Sequence, residues 1–175
     1  GVMYTVPLNE KNAISYGISF DNTDITLTED SPSRYQAYCS SLSGNSLGCS
    51  SDNLTATIGY STDTRDDIMF PTKGGLDKII GEVALPGFET QMYKLFYQKS
   101  WYKPFVRGST FMLGGILAYE NSYGGKILPF YKNFFAGGVG SIRGFRQGSM
   151  GPVEIEPVTG QNVYVGGNKQ VIGNA

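Results

Sequence analysis

Apolar and polar residues alternate one by one along stretches of about ten residues, and no other feature of this chain limits its fold so tightly. In 14–21, Ile14, Tyr16, Ile18 and Phe20 alternate with Ser15, Gly17, Ser19 and Asp21. In 54–61, Leu54, Ala56, Ile58 and Tyr60 alternate with Thr55, Thr57, Gly59 and Ser61. Successive side chains of a strand point to opposite faces, so each stretch has one greasy and one wet face. Ile79, Gly81, Val83 and Leu85 continue the pattern against Lys78, Ile80, Glu82 and Ala84. Tyr93, Leu95, Tyr97 and Trp101 share a face, broken by Lys99, while Phe96 interrupts the opposite face of Lys94 and Gln98. Phe111, Leu113, Gly115, Leu117 and Tyr119 complete the series against Met112, Gly114, Ile116 and Ala118, a face that is mostly small but not polar. Turn signals at 7–12, 70–75, 86–87 and 103–104 separate the stretches, which predicts an all-β antiparallel meander.

Ten residues is about the length that crosses a bilayer as a tilted strand. A soluble β-sandwich with the greasy face turned to a core remains the plainer reading of alternation alone. Two features favour the membrane: the greasy face is rich in Tyr and Trp near strand ends, and the wet face carries Gly, Ser, Thr and single charges. The charged fraction is only 17%, below the usual quarter. No apolar run is long enough for a membrane-spanning helix. The net charge of −1 offers no polyanion-binding surface, so nucleic acid is not an expected partner. The chain has no His, which removes the commonest general base and metal ligand. It opens on Gly1-Val2-Met3-Tyr4 and closes on Val171-Ile172-Gly173-Asn174-Ala175 as strands in progress, which predicts a piece of a larger protein.

The connections differ in kind. Short turns alternate with long connections at about 26–52 and 120–165, as in outer-membrane barrels with short turns on one side and long loops outside. The second contains Leu128-Pro129-Phe130-Tyr131, then Phe134-Phe135-Ala136-Gly137-Gly138, then Ile142-Arg143-Gly144-Phe145, then Gly151-Pro152 and Val165-Gly166-Gly167-Asn168. In this order, these elements resemble the sixth extracellular loop of the BamA family, in the bacterial surface-antigen superfamily. Phe70-Pro71-Thr72-Lys73-Gly74 is similar to that family's Phe-Pro-Thr-x-Gly turn. The resemblance runs over nearly the whole chain.

The resemblance implies one partial outer-membrane barrel domain over 1–175, about seven strands of a closed barrel of about sixteen. It implies a non-enzymatic role in folding and inserting other β-barrel proteins into the bacterial outer membrane. The partners it implies are unfolded barrel proteins, the lipid bilayer and the assembly machinery's lipoproteins, the last mainly through POTRA domains outside this chain. No cofactor and no metal are expected. A two-partner secretion or TamA-like translocation pore shares the Arg-Gly motif and stands as the alternative; a passive porin-like channel belongs to another class. Ile142, Arg143, Gly144 and Phe145 are expected to anchor the loop on the inner wall, with Pro129, Phe130, Tyr131, Gly137 and Gly138 in support. Gly137, Gly138, Gly140 and Gly144 would allow positive φ, and the Arg143 guanidinium would fork onto wall carboxylates or carbonyls. With wall partners missing, 137–148 should be poorly fixed or held by a non-native contact such as another chain, and if Arg143 is paired within the chain, Glu82 and Asp21 are the first candidates. The oxidising route to the outer membrane makes a Cys39–Cys49 disulfide an expectation.

Other signals carry less. Gly138 to Gly144 has the wrong spacing for a dinucleotide loop, and Asn53-Leu54-Thr55 is only a formal glycosylation sequon. Asp63, Arg65, Asp66 and Asp67 read as a solvated turn rather than a cation site. Glu82 and Glu120 could be imagined as an acid pair, but nothing in the sequence places them together.

Overall fold

Seven strands form one antiparallel sheet in the computed structural model, which describes residues 1–106 and 108–175. The strands are β1 (Val2–Pro7), β2 (Asn12–Thr26), β3 (Gly48–Asp63), β4 (Gly74–Ala84), β5 (Met92–Val106), β6 (Ser109–Ser122) and β9 (Lys169–Asn174). Their order in the sheet is β1-β2-β3-β4-β5-β6-β9, so every strand pairs with its neighbour in sequence until the long connection after β6. That connection holds a 3-10 turn (Phe130–Lys132) and a small hairpin of β7 (Val153–Ile155) and β8 (Asn162–Tyr164). The first long connection holds the helix α1 (Ser33–Ser43).

Register carries the alternation of single strands across the whole sheet. Tyr4, Tyr16, Ile58, Gly81, Leu95 and Tyr119 lie in one row, each directly opposite the next. Val6, Ile14, Tyr60, Ile79, Tyr97, Leu117 and Val171 form the row beside it. The result is one continuous apolar face, and nothing among the described residues covers it: Ile58 is 64% exposed and Leu117 51%. Of the residues the alternation predicts on this face, Tyr16, Ile18, Ile58, Val83, Leu113 and Leu117 are exposed and Ile14 and Leu54 half-buried. A soluble sandwich would bury this face against a second sheet. Here the buried apolar core lies elsewhere: Tyr38, Cys39 and Cys49 cluster with Ile25, Leu27, Leu42, Phe130 and Tyr131, where the two long connections meet.

The β2–β3 ladder runs on to Thr26 opposite Gly48, so the first long connection is 27–47, shorter than its sequence suggests. Asp21, Asn22, Asp52 and Asn53 are polar on both faces of that extension. Strands of 15 and 16 residues exceed the roughly 9–11 that cross a bilayer, so their far ends stand clear of it and lose the alternation. The second connection is 123–168, shifted along the chain rather than shortened, because β6 continues to Ser122 and β9 begins at Lys169.

Candidate functional site

The two long connections leave the sheet at the same end and interlock. In α1, Tyr35, Tyr38, Cys39 and Leu42 fall at the spacing of one helical face. That face packs on the 3-10 turn: the Tyr35 and Phe130 rings stack with centroids 3.9 Å apart, and Tyr38 meets Phe130 and Tyr131 edge-on at 5.8 and 6.1 Å. The Tyr38 hydroxyl lies 3.3 Å from Ser51 Oγ and 3.4 Å from Thr90 Oγ1, and Asn53 Nδ2 donates to the Tyr131 hydroxyl at 3.3 Å. Burial pushes the Tyr38 phenol up to about 12. Cys39 and Cys49 form a disulfide, Cα–Cα 5.1 Å, which ties α1 to the start of β3. At the rim, Arg34 Nε pairs with Glu154 Oε1 at 3.0 Å, and Asp30 accepts the Val158 and Thr159 amides at 3.0 Å each.

From this joint the second connection folds back over the polar face of the sheet. Phe134 and Gly167 exchange backbone hydrogen bonds of 2.9 and 3.0 Å, Asn133 Nδ2 donates to the Val165 carbonyl at 2.9 Å, and Gln170 of β9 reaches the Phe135 carbonyl at 2.9 Å. Beyond this neck, 137–150 closes on itself: the Gly137 amide donates to Ser141 Oγ at 2.8 Å and the Met150 amide to the Ala136 carbonyl at 3.0 Å. A Cβ on Gly137, at φ 108°, would stand 2.3 Å from the Arg146 carbonyl oxygen. The tip overhangs the polar wall, enclosing a cleft of about 820 Å³ lined by Gln98, Ser100, Met112 and Ile116 on one side and Ile142 and Arg143 on the other.

The expected site residues are thus divided. Pro129, Phe130 and Tyr131 sit in the joint, with Pro129 fully buried, and Gly137 and Gly138 are buried at the neck. Gly144 has positive φ as Gly137 and Gly138 do, whereas Gly140 does not. Ile142 is half-buried, while Arg143 and Phe145 are exposed on the tip. Arg143 makes no hydrogen bond or ion pair among the described residues, so neither Glu82 nor Asp21 holds it. The tip makes hydrogen bonds within itself, from Gly137 to Ser141 and from Met150 to Ala136. In the 64–73 turn, Asp63 pairs with Arg65 at 2.7 Å, and Asp66 and Asp67 accept neighbouring amides. The Thr72 hydroxyl, with the amides of Lys73 and Thr72, holds the Asp66 carboxyl well below the usual range.

The sheet brings together one set that the sequence leaves apart. On the polar face Glu82 lies opposite Lys94, and Lys94 opposite Glu120. Glu120 is fully buried. The inter-loop residues Tyr35, Tyr38, Ser51 and Thr90 are also absent from the expected site. Only the helical spacing of 35, 38, 39 and 42, set in a Ser-rich segment, could have pointed to them.

The family model described as the Omp85 superfamily domain matches residues 1–175. The outer membrane protein assembly factor BamA of Neisseria meningitidis serogroup B is 29% identical over 97% of the chain, and the chain spans 22% of that protein's length. The sorting assembly machinery 50 kDa subunit of Saccharomyces cerevisiae is 33% identical over 70% of the chain, which spans 26% of it. The crystal structure of BamA from Haemophilus ducreyi lacking POTRA domains 1–3 matches 97% of the chain with a TM-score of 0.85 and 28% identity, the match taking in 34% of the crystallised chain.

Proposed function

This chain belongs to the Omp85 superfamily, and from that premise we propose that it supplies wall and lumen loop to a barrel that folds and inserts other β-barrel proteins into the bacterial outer membrane. The observation that carries this reading is the asymmetry of the sheet: one apolar face is left bare, and the other is roofed by the chain's own long connection. The bare face meets lipid; the roofed face is the lumen wall. The ends carrying 27–47 and 123–168 face outward, and the turns at 8–11 and 64–73 face the periplasm.

In this reading residues 1–175 are the middle of the barrel domain, and the rest of the wall closes it. The tip carrying Ile142, Arg143, Gly144 and Phe145 lies in the lumen, and Arg143 bonds to wall groups that the closed barrel brings to it. Pro129, Phe130, Tyr131, Gly137 and Gly138 set the path by which the tip enters. The work is strand pairing and lipid exchange, with no bond made or broken: an open sheet edge elsewhere in the barrel offers hydrogen bonds to an incoming chain. Unfolded barrel proteins are the clients, and lipoproteins of the assembly machinery are the partners of the whole protein.

Depletion of the whole protein tests this. Folded, heat-modifiable outer-membrane barrels should fall while their unfolded precursors accumulate in the periplasm. A porin-like channel would instead leave barrel assembly intact and change only solute passage.

A further inference from the structure

Glu120 is 0% exposed, and neither carboxylate oxygen has a hydrogen-bond partner among the described residues. Its backbone amide bonds to the Asn168 carbonyl at 2.9 Å, which extends the β6–β9 ladder to the end of the long connection, and Phe134 of that connection sits at Lys94 across the strand. Two cations are at hand, and neither is on it. Lys94, directly opposite across the β5–β6 ladder, holds its ammonium 4.6 Å from the centre of the Phe134 ring. Lys132, carried by the connection itself, lies over Tyr131 at 5.8 Å. The remaining charge in the row is Glu82, on the far side of Lys94 and of the same sign as Glu120. Phe134 belongs to the neck, through its paired bonds to Gly167.

A buried carboxylate without a partner is unfavourable, and an ammonium on an aromatic face only partly offsets the loss of an ion pair. Directly opposed side chains on one sheet face stand within reach of each other. When the connection lifts, Phe134 leaves, water reaches Glu120, and Lys94 is free to turn to it. We propose that Lys94 is a two-way latch for the long connection, resting on Phe134 while the connection is seated and pairing with Glu120 when it is raised. Glu120 is then a positioning residue that keeps the seated loop releasable. The seated state holds one good contact and one unfavourable burial; the raised state exchanges both for an ion pair.

The inference rests on the reading of this connection as a lumen loop, so its test follows loop position rather than client assembly. Spin labels are placed at Val139→Cys on the exposed tip and Asn9→Cys on the first turn of the whole protein, freed of other thiols, in phospholipid liposomes. Cys39 and Cys49 are occupied with each other. Pulsed EPR gives the distance distribution between the labels. Glu120→Gln keeps the shape and removes the charge, and should raise the ratio of seated to raised loop by roughly tenfold. Phe134→Leu keeps the bulk and removes the cation's perch, and should move the ratio the other way. A distribution unmoved by Glu120→Gln, or moved toward the raised distance, would overturn the latch. So would a Glu120→Gln protein that fails to fold, because an unpaired carboxylate has no bonds to lose. If Phe134→Leu left the loop as seated as before, Lys94 would have no perch to leave, and the proposal would fail on that arm alone.

Discussion

Tyr35 and Phe130 stack ring on ring, centroids 3.9 Å apart and planes 21° from parallel, and so join two connections that leave the sheet three hairpins apart in sequence. The contact makes the outer ends of the two loops one body with the buried cluster of Tyr38, Cys39 and Cys49. Phe130→Ala should therefore free both loops together. The loss is about 3 kcal/mol, the low end for deleting a large aromatic, because Phe130 is only partly covered. Limited proteolysis of the folded barrel checks this: cleavage within 27–47 and within 123–168 should rise in parallel. Acceleration in only one of them would show that the loops are held separately.

The buried phenol in the same cluster gives a pH signature. Desolvation holds the Tyr38 hydroxyl at about 12, above its ordinary 10.0. The sign follows from linkage. Its neutral form is kept by the docked loops and surrendered by the undocked ones, so the stabilisation is complete below the ordinary value and is lost as pH rises toward about 12. Proteolytic opening of the loops should steepen over that interval. Tyr38→Phe should flatten the rise, at the expense of hydroxyl contacts to Ser51 and Thr90 worth on the order of 1 kcal/mol. An equally steep rise in Tyr38→Phe would assign the titration to other groups.

The Cys39–Cys49 bond closes a loop with a sequence separation of 10 between α1 and β3. In the chain-entropy model that loop is worth about 3 kcal/mol. Reduction should loosen 27–47 while leaving the seven-stranded sheet and its heat-modifiable migration intact, since neither cysteine lies in the lipid-facing rows. Mass spectrometry after alkylation without reductant should find both thiols blocked. Labelling of both would mean that the bond is not formed in the cell.

The strands were legible because a sheet with lipid on one side and water on the other imposes alternation, and Ile14–Phe20 and Leu54–Tyr60 show it without help from neighbours. The strand ends were not, because Asp21, Asn22, Asp52 and Asn53 are polar on both faces, Asn53 buried against Tyr131 and the others reaching toward water, and the ladder continues without a pattern. The helix α1 was hidden by five Ser residues at 33, 40, 41, 43 and 31 within or just before it; its packing on Phe130 supplies the order that propensity does not. The motif Ile142-Arg143-Gly144-Phe145 could be found as a string, but which groups would hold it could not. The row Glu82–Lys94–Glu120 is a product of register between strands distant in sequence, and no spacing announces it.

Gly137 marks where the loop turns back over the polar face of the sheet. Its φ of 108° is open to glycine, and an added Cβ would meet the Arg146 carbonyl oxygen at 2.3 Å. Gly137→Ala should therefore break the closed turn of 137–150 rather than merely crowd it, at roughly 1–3 kcal/mol for the backbone strain alone. Gly140→Ala is the control, since nothing stands within 4 Å of its added Cβ. Faster cleavage at the tip in the first and wild-type cleavage in the second would match the geometry. Equal behaviour of the two would show that the tip does not depend on this turn.

Arg143 stands exposed on the tip of that turn, across a cleft of about 820 Å³ from Gln98, Ser100, Met112 and Ile116. In a closed barrel the same position is enclosed, and an enclosed guanidinium must be paired to be tolerated. We therefore expect wall carboxylates or carbonyls, brought by the strands that complete the barrel, to take up its planar donors. Removing it leaves such a partner unpaired, at about 3 kcal/mol or more. Arg143→Lys should be nearly as damaging as Arg143→Ala, because an ammonium cannot present two parallel donors to one carboxylate. The measurements are the fraction of heat-modifiable barrel, the protease resistance of 123–168, and the yield of folded client barrels in depleted cells. Glu82→Gln and Asp21→Asn should leave all three near wild type, since neither acid holds Arg143 in this arrangement. If Arg143→Ala kept full barrel stability and full client assembly, the motif would have no anchoring role, and the loop's position would rest on the Phe130 joint and the Gly137 neck alone.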